Sequence, residues 1–367
     1  MYPHTLSYLR YRAIGTPAAT LWLVSNGIFR GLGDTLTPLK YSLVLTGLNA
    51  ILDPLLIFPS VSLGKFTIPG MNLGCAGAAA GTAFAQYTAL VGILWELNKV
   101  TDLKWNLRTL WPSLVSYVSA ASLVLARTFG KVIAYAVCSR RVALLGPIAA
   151  ATHNLMFNLG VAMTQVCESV AVATQTLLAR ELSVPVEDVG DGPAVGVEAG
   201  EWDKSAVAKR RARGLWEKKF TAWHIINRGV VAGGAVALTL SALSLLFRQR
   251  VVQGLTTSEP VQALCLRIMP LVLLTQVAKG LAYPINGVIM GGLDWRFSTV
   301  AMWIANALCI GTLSFGKSLT GARGLENVWL GLSLFMWSQC FTGVWRFCSG
   351  FGPWSVLKSK DKDEKES

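Results

Sequence analysis

Two stretches decide how this sequence is read: NGIFRGLGDTLTP, from Asn26 to Pro38, and NGVIMGGLDWRFS, from Asn286 to Ser298. They align at a constant offset of 260 residues, from 26 to 286, with Asn, Gly, Gly and Asp coinciding at 26/286, 27/287, 31/291 and 34/294. Each copy ends an apolar run of helical length and leads through a short polar turn into another. An internal repeat placed in this way is the mark of transport folds built from duplicated bundles.

Outward from the repeat, the chain is a series of segments long enough to cross a bilayer, which takes about 20 mainly apolar residues each. Nine are present, centred on residues 13–32, 39–58, 73–97, 110–137, 142–180, 222–247, 262–292, 297–316 and 327–348. The stretches 73–95, 142–167, 297–316 and 327–345 contain no Lys, Arg, Asp or Glu. Pro17, Pro54, Pro112, Pro270 and Pro284 lie inside the segments and predict kinks, which packed membrane helices tolerate.

Six segments separate the two copies, so the repeating unit is a six-helix bundle of parallel topology. Three helices precede the motif-bearing helix in the second unit, and only residues 1–11 precede it in the first. The symmetry therefore predicts an all-α polytopic membrane protein of two six-helix lobes, with three N-terminal helices lacking from this chain and twelve in an intact one. The expected boundaries are a partial N-terminal lobe at 1–97, an inter-lobe loop at 98–109, a C-terminal lobe at 110–349 with a cytoplasmic loop at 181–220, and a charged, disordered tail at 350–367.

Composition agrees. Hydrophobic residues make up 53% and charged residues only 14%, against about 25% charged in an ordinary soluble domain. The mean hydropathy is +0.48. A net charge of +13 raises the question of nucleic acid, but the basic residues sit in the gaps between apolar segments, where they set membrane orientation. Roughly twice as many Lys and Arg fall on one set of connections as on the other, which predicts a cytoplasmic C-terminus.

The seven Cys form no CxxC pair and read as small buried hydrophobes, and the three His are scattered, so neither a metal site nor another cofactor is expected. No GxxxxGK[ST] loop is present, which argues against ATP as the energy source, and no paired Asp or His cluster suggests an enzyme. The partners expected are the bilayer and a small organic solute, with the chain a monomer.

Ionisable groups at membrane depth cost at least about 2.5 kcal/mol each, so they mark function or pairing. Glu168 is the foremost candidate. Asn154, Asn158, Gln165, Glu168 and Gln175 fall within roughly 100° of arc on one helix and form a polar stripe on an otherwise apolar surface. A carboxylate in such a place can exchange a proton or bind Na⁺ with neighbouring amide oxygens, which makes Glu168 the candidate coupling acid; the competing reading is a hydrogen-bond network that only holds helices together. Arg127 and Lys279 lie near the middle of their helices and could pair with Glu168 or attract an anionic solute. Gln276, Asn286 and Asn49 are further candidate cavity-lining groups. Arg30, Asp34 and Asp294 belong to the repeated turn and read as a structural clasp, with Asp34 suited to capping a helix.

At these residues the sequence resembles a known family. RGLGDTLTP (Arg30 to Pro38), NAILDPLLIF (Asn49 to Phe58) and GCAGAAAGTAFAQ (Gly74 to Gln86) are similar to the fourth, fifth and sixth helices of the multidrug and toxic compound extrusion (MATE) family. AVATQTLLA (Ala171 to Ala179) is similar to the end of its eighth helix, above all in the DinF-like branch that includes plant citrate exporters. The resemblance covers about residues 8–349. It implies two six-helix lobes facing a central cavity, both termini in the cytosol, and antiport of organic cations, xenobiotics or organic anions such as citrate against H⁺ or Na⁺. The sequence departs from the family in one respect: the N-lobe cation site of that branch uses an acidic residue on the first helix, which has no counterpart here. The other readings are a lipid or polysaccharide flippase of a related superfamily and an inactive truncated product. Plasma membrane, vacuole and plastid envelope are all compatible with these letters.

Overall fold

The structure is a computed structural model that describes residues 2–63, 66–101, 107–183, 215–320 and 324–358. All nine apolar segments are helical within them: α1 (Tyr2–Leu32), α2 (Leu36–Ile57), α3 (Cys75–Val100), α4 (Leu107–Ala143), α5 (Pro147–Ser183), α6 (Leu215–Leu246), the short α7 (Arg248–Leu255), α8 (Glu259–Gly291), α9 (Trp295–Thr320) and α10 (Leu325–Ser349). The five internal prolines all fall inside long helices. Seven of these helices, α2 to α6 with α8 and α9, are long and apolar enough to cross a membrane. Their outward-facing residues include Leu43, Val91, Trp111 and Phe315, more than half exposed. Apolar surface on that scale suits a lipid face.

The chain divides into two compact units, Met1–Leu107 and Arg108–Ser367. In the first, α1 and α2 each pack along α3 and scarcely touch one another. Small residues make this possible, since without a hydrophobic driving force between helices in lipid, close backbone approach supplies the attraction. A Cβ on Gly77 would strike the Leu56 carbonyl, and one on Gly81 would come within 2.9 Å of the Asp53 Oδ1. In the second unit α8 and α9 flank α10 in the same manner, while α5 lies along α8, with α6 against both. There Gly287 and Gly291 of α8 meet the backbone of Ala171 and Gln175 on α5, and Gly280 meets Ala237 on α6, with no room for a side chain.

The repeat is visible in backbone geometry. The Asp34 N–H donates to the Phe29 carbonyl at 2.9 Å and the Gly33 N–H to that of Arg30 at 3.0 Å; Asp294 donates to Ile289 at 3.2 Å and Leu293 to Met290 at 3.1 Å. Both turns are therefore Schellman motifs, with Gly33 (φ +87°) and Leu293 (φ +56°) in the left-handed position. The third helix of each triplet opens in one conformation as well, Gly74 at φ +53°, ψ −129° and Gly324 at φ +59°, ψ −127°. These glycines lie 250 residues apart (74 to 324) where the turns lie 260 apart (34 to 294). The difference of ten is the antiparallel hairpin of β1 (Ser60–Leu63) and β2 (Phe66–Pro69), inserted after α2. Residues 70–74 then return along the end of α2, where their N–H groups bond the carbonyls of Leu55 to Pro59.

The tail departs from the expectation of disorder as far as Lys358. A 3-10 turn at Gly352–Trp354 and α11 (Ser355–Lys358) bring the Trp354 indole into a buried position, 1% exposed, against Gly292 and Phe347. One buried aromatic with a bonded N–H outweighs the charged composition that suggested a free end. Residues 359–367 lie outside the described residues, as do 102–106 of the inter-lobe loop and 184–214 of the cytoplasmic loop. Much of the basic excess used for orientation, including Lys209 to Arg213, is outside them too.

Candidate functional site

A cavity of about 190 Å³ opens among five helices of the second unit. From α4 come Arg127 and Lys131, which are one turn apart and so share a face. From α5 come Glu168 and Gln175 with Ala171 and Val172 between them. Tyr283, Asn286, Gly287 and Met290 enter from α8, Met302 from α9, and Phe335, Met336 and Gln339 from α10. Helical periodicity explains the α8 set, because residues 283, 286, 287 and 290 recur at three- and four-residue steps.

Charge defines the chamber. Two cations and one carboxylate line it, and among the described residues Glu168 makes no ion pair within 4.0 Å. Lys131 and Lys279 are within Coulombic range of it. Among the described residues the buried Arg127 Nε has no hydrogen-bond partner. Tyr283 is flanked by two ammonium groups, Lys131 Nζ at 6.0 Å and Lys279 Nζ at 5.4 Å from the ring centre, where the ring quadrupole offsets part of their burial. The Asn286 Nδ2 donates to the Gln339 Oε1 at 3.0 Å, and the Gln339 Nε2 donates to the Phe335 carbonyl at 3.0 Å.

The expected site residues separate into groups. Glu168, Gln175, Arg127 and Asn286 are brought together around the cavity. Asn154, Asn158 and Gln165 are exposed on α5 but do not line it. Lys279 and Gln276 are buried, at 6% and 4% exposure, and do not line it either: Lys279 rests on Tyr283 and Gln276 against Gly160. Asn49 belongs to the first unit, half-buried on α2, and its Oδ1 has no hydrogen-bond partner among the described residues. In the repeated turns, the Asp34 Oδ1 accepts from the N–H groups of Leu36 and Thr37 at 2.9 and 3.0 Å and so caps α2. Burial pushes the Asp34 carboxyl up, but bonds from Thr37 and Leu36 and the charge of Lys40 outweigh it and hold the group below its usual range. Arg30 donates through Nε to the Asn26 carbonyl at 3.2 Å; among the described residues no ion pair joins it to Asp34. Asp294 instead accepts from Arg346 Nε at 2.7 Å and Trp354 Nε1 at 3.2 Å, linking the α8–α9 turn to the end of α10 and the tail.

Sequence reasoning missed Lys131, Tyr283 and Gln339. A signal existed for the first two: Lys131 follows Arg127 by four residues, and Tyr283 follows Lys279 by four, so each pair shares a helical face. Gln339 reaches the site through its bond to Asn286 across two helices, which no single-helix pattern reveals.

Fold and site together define a multi-pass helical membrane protein with a charged chamber inside one of its units. A MatE family model matches residues 1–55. Over 363 residues, 96% of this chain, the sequence is 28% identical to Protein DETOXIFICATION 44, chloroplastic, of Arabidopsis thaliana. It is 31% identical over 352 residues to Protein DETOXIFICATION 42 of the same plant. The chain spans 58% and 59% of these relatives' own lengths. A Vibrio cholerae MATE transporter, VcmN, shares the fold at a TM-score of 0.73 and 14% identity, with 96% of this chain and 70% of that one covered. The chain is similar to MATE family proteins over nearly its whole length and shares their fold.

Proposed function

We propose that the protein transports small organic solutes across a membrane, coupled to the movement of H⁺ or Na⁺, and that Glu168 is the group that carries the coupling ion. The observation that supports this most is a carboxylate, in no ion pair among the described residues, facing a cavity lined by charged and apolar groups inside an apolar helical unit. Ionisable residues at that depth are costly unless they serve a pathway, and a carboxylate alternating between a bound cation and a bare state changes the charge balance of the chamber by one unit. Similarity to the MATE family supports antiport as the direction of coupling. The DETOXIFICATION relatives that carry the word chloroplastic bring the plastid envelope into view as one location.

Flux through proteoliposomes under an imposed H⁺ or Na⁺ gradient tests the reading. The wild-type chain should move a labelled solute only while a gradient is present, and the sign of the gradient that drives it gives the direction. Glu168→Gln keeps the shape and removes titration, so it should abolish the gradient dependence. Unchanged gradient-driven flux in Glu168→Gln would show that another group carries the ion.

A further inference from the structure

The end of the second unit opposite the Asp294 turn carries two pairs of arginines. Connectivity puts them at one end: α4 finishes just past Arg140 and Arg141, and α5 starts at Pro147. Helix α6 runs antiparallel to α5, with Gly233 against Cys167 and Ser244 against Met163, so it finishes at that same end and turns into α7 with Arg248 and Arg250. All four arginines are exposed, and among the described residues none makes an ion pair within 4.0 Å. The carboxylates described at this end are Glu259 and Glu326, and Glu326 is held by Arg267 at 2.9 Å, so the rim keeps an excess of positive charge. The C-terminal segment leaves α10 at the other end. On the expected topology the arginines therefore face away from the cytosol, where orientation of the chain does not call for them.

Each pair adjoins apolar side chains that also face outward. Leu144, 73% exposed, and Leu145 follow the first pair; Leu246, 74% exposed, and Phe247 precede the second. Val142 and Val252 are buried in one core cluster and anchor both segments. With eight residues α7 is about 12 Å long, too short to span a bilayer; it turns Val252 inward while Gln249, Arg250 and Gln253 face outward. A short amphipathic helix of this kind suits the boundary between headgroups and acyl chains. We infer that this rim binds an anionic phospholipid, with the headgroup phosphate on the arginine pairs and the acyl chains against Leu144, Leu145, Leu246 and Phe247. Charge and shape select the class together. The planar guanidinium fork matches phosphate oxygens. A soluble anion would engage the arginines and leave the apolar flanks unused, and a zwitterionic lipid brings chains but cancels the phosphate charge within its own headgroup. An anionic lipid uses both features.

Native mass spectrometry of the purified full chain in detergent separates these cases. The probes are phosphatidylglycerol, phosphatidylcholine with the same acyl chains, and glycerol 3-phosphate, which has the phosphate and no chains. Phosphatidylglycerol should bind at least about fivefold more tightly than phosphatidylcholine, and excess glycerol 3-phosphate should not displace it. Arg140→Gln with Arg141→Gln, and Arg248→Gln with Arg250→Gln, should each weaken phosphatidylglycerol about fivefold, and all four together at least about tenfold. The corresponding lysine substitutions should restore part of the loss, and added salt should weaken binding. Leu246→Ser should weaken both lipids alike. Arg296→Gln, exposed at the opposite end of the unit, should change nothing.

Equal affinity for the two lipids would overturn the inference, as would phosphatidylglycerol binding indifferent to the fourfold Gln variant in a protein that still melts like the wild type. Displacement by glycerol 3-phosphate would overturn it too, by showing a site for a soluble anion.

Discussion

Leu293 occupies, in the second copy of the repeated turn, the left-handed backbone position that Gly33 occupies in the first. A leucine at φ +56° is strained because its Cβ crowds the following carbonyl, and here the Schellman bonds on either side hold it in place. Its side chain is 63% exposed, so little packing would be lost on replacement. Leu293→Gly should therefore raise stability by about 0.5 to 1 kcal/mol, after allowing for the freer unfolded chain. Gly33→Leu should lower it by about 1 kcal/mol or more. Thermal unfolding of the purified protein in detergent reads both.

Asp34 gives a second, pH-resolved test. Its carboxyl is held below the ordinary 3.8 by the bonds it accepts at the start of α2. A depressed folded-state value means that its contribution is complete above that ordinary value and fades as the pH falls through the lower one. Asp34→Ala should cost about 1 kcal/mol at neutral pH, with the difference from wild type closing in acid. Asp34→Asn, which can still cap, should cost less and show no such pH dependence. A constant gap for Asp34→Ala down to pH 2 would mean the carboxylate is not what stabilises the turn.

The tail offers a third. Trp354→Ala removes a fully buried indole and should cost about 3 kcal/mol. Trp354→Phe keeps most of the volume but leaves Asp294 with Arg346 alone, and about 1 kcal/mol is the expected loss. Limited proteolysis after Ser349 should become faster in the order wild type, Phe, Ala. Equal rates in all three would show that the segment is not docked.

Cys138 on α4 and Cys309 on α9 place their sulfurs 3.7 Å apart, both buried. A disulfide needs about 2.05 Å, so the two sulfurs would have to move closer to bond. Diamide, which crosses membranes, should take up the two electrons and two protons and join them. The cross-linked peptide should appear by mass spectrometry without reductant and be missing from Cys138→Ser.

How much of this was legible from the letters differs by level. The helices were, because a bilayer imposes a length that uninterrupted apolar runs such as 297–316 report directly. The repeated turn was legible in part, because Gly33 and Asp34 are what a Schellman ending and a helix cap require. Leu293 hid part of it, since a residue with no tolerance for left-handed backbone stands where the pattern calls for glycine. Glu168 and Gln175 could be placed on one face of α5 by periodicity alone. The chamber itself could not be, because five helices build it and only packing decides which face of α4 or α10 points inward. Asn154, Asn158 and Gln165 show the converse limit: a shared stripe does not mean a shared cavity when the helix is 37 residues long.

The glycines of α8 carry a consequence for motion. Gly287 and Gly291 are seated on the α5 backbone and Gly280 against Ala237 of α6, so these three helices approach one another closely. Sliding or tilting there would break close backbone contacts, so in the proposed transport cycle α5, α6 and α8 are expected to stay packed together. Glu168 and Tyr283 sit on these closely packed helices, while Arg127, Lys131, Met302 and Gln339 are held by α4, α9 and α10.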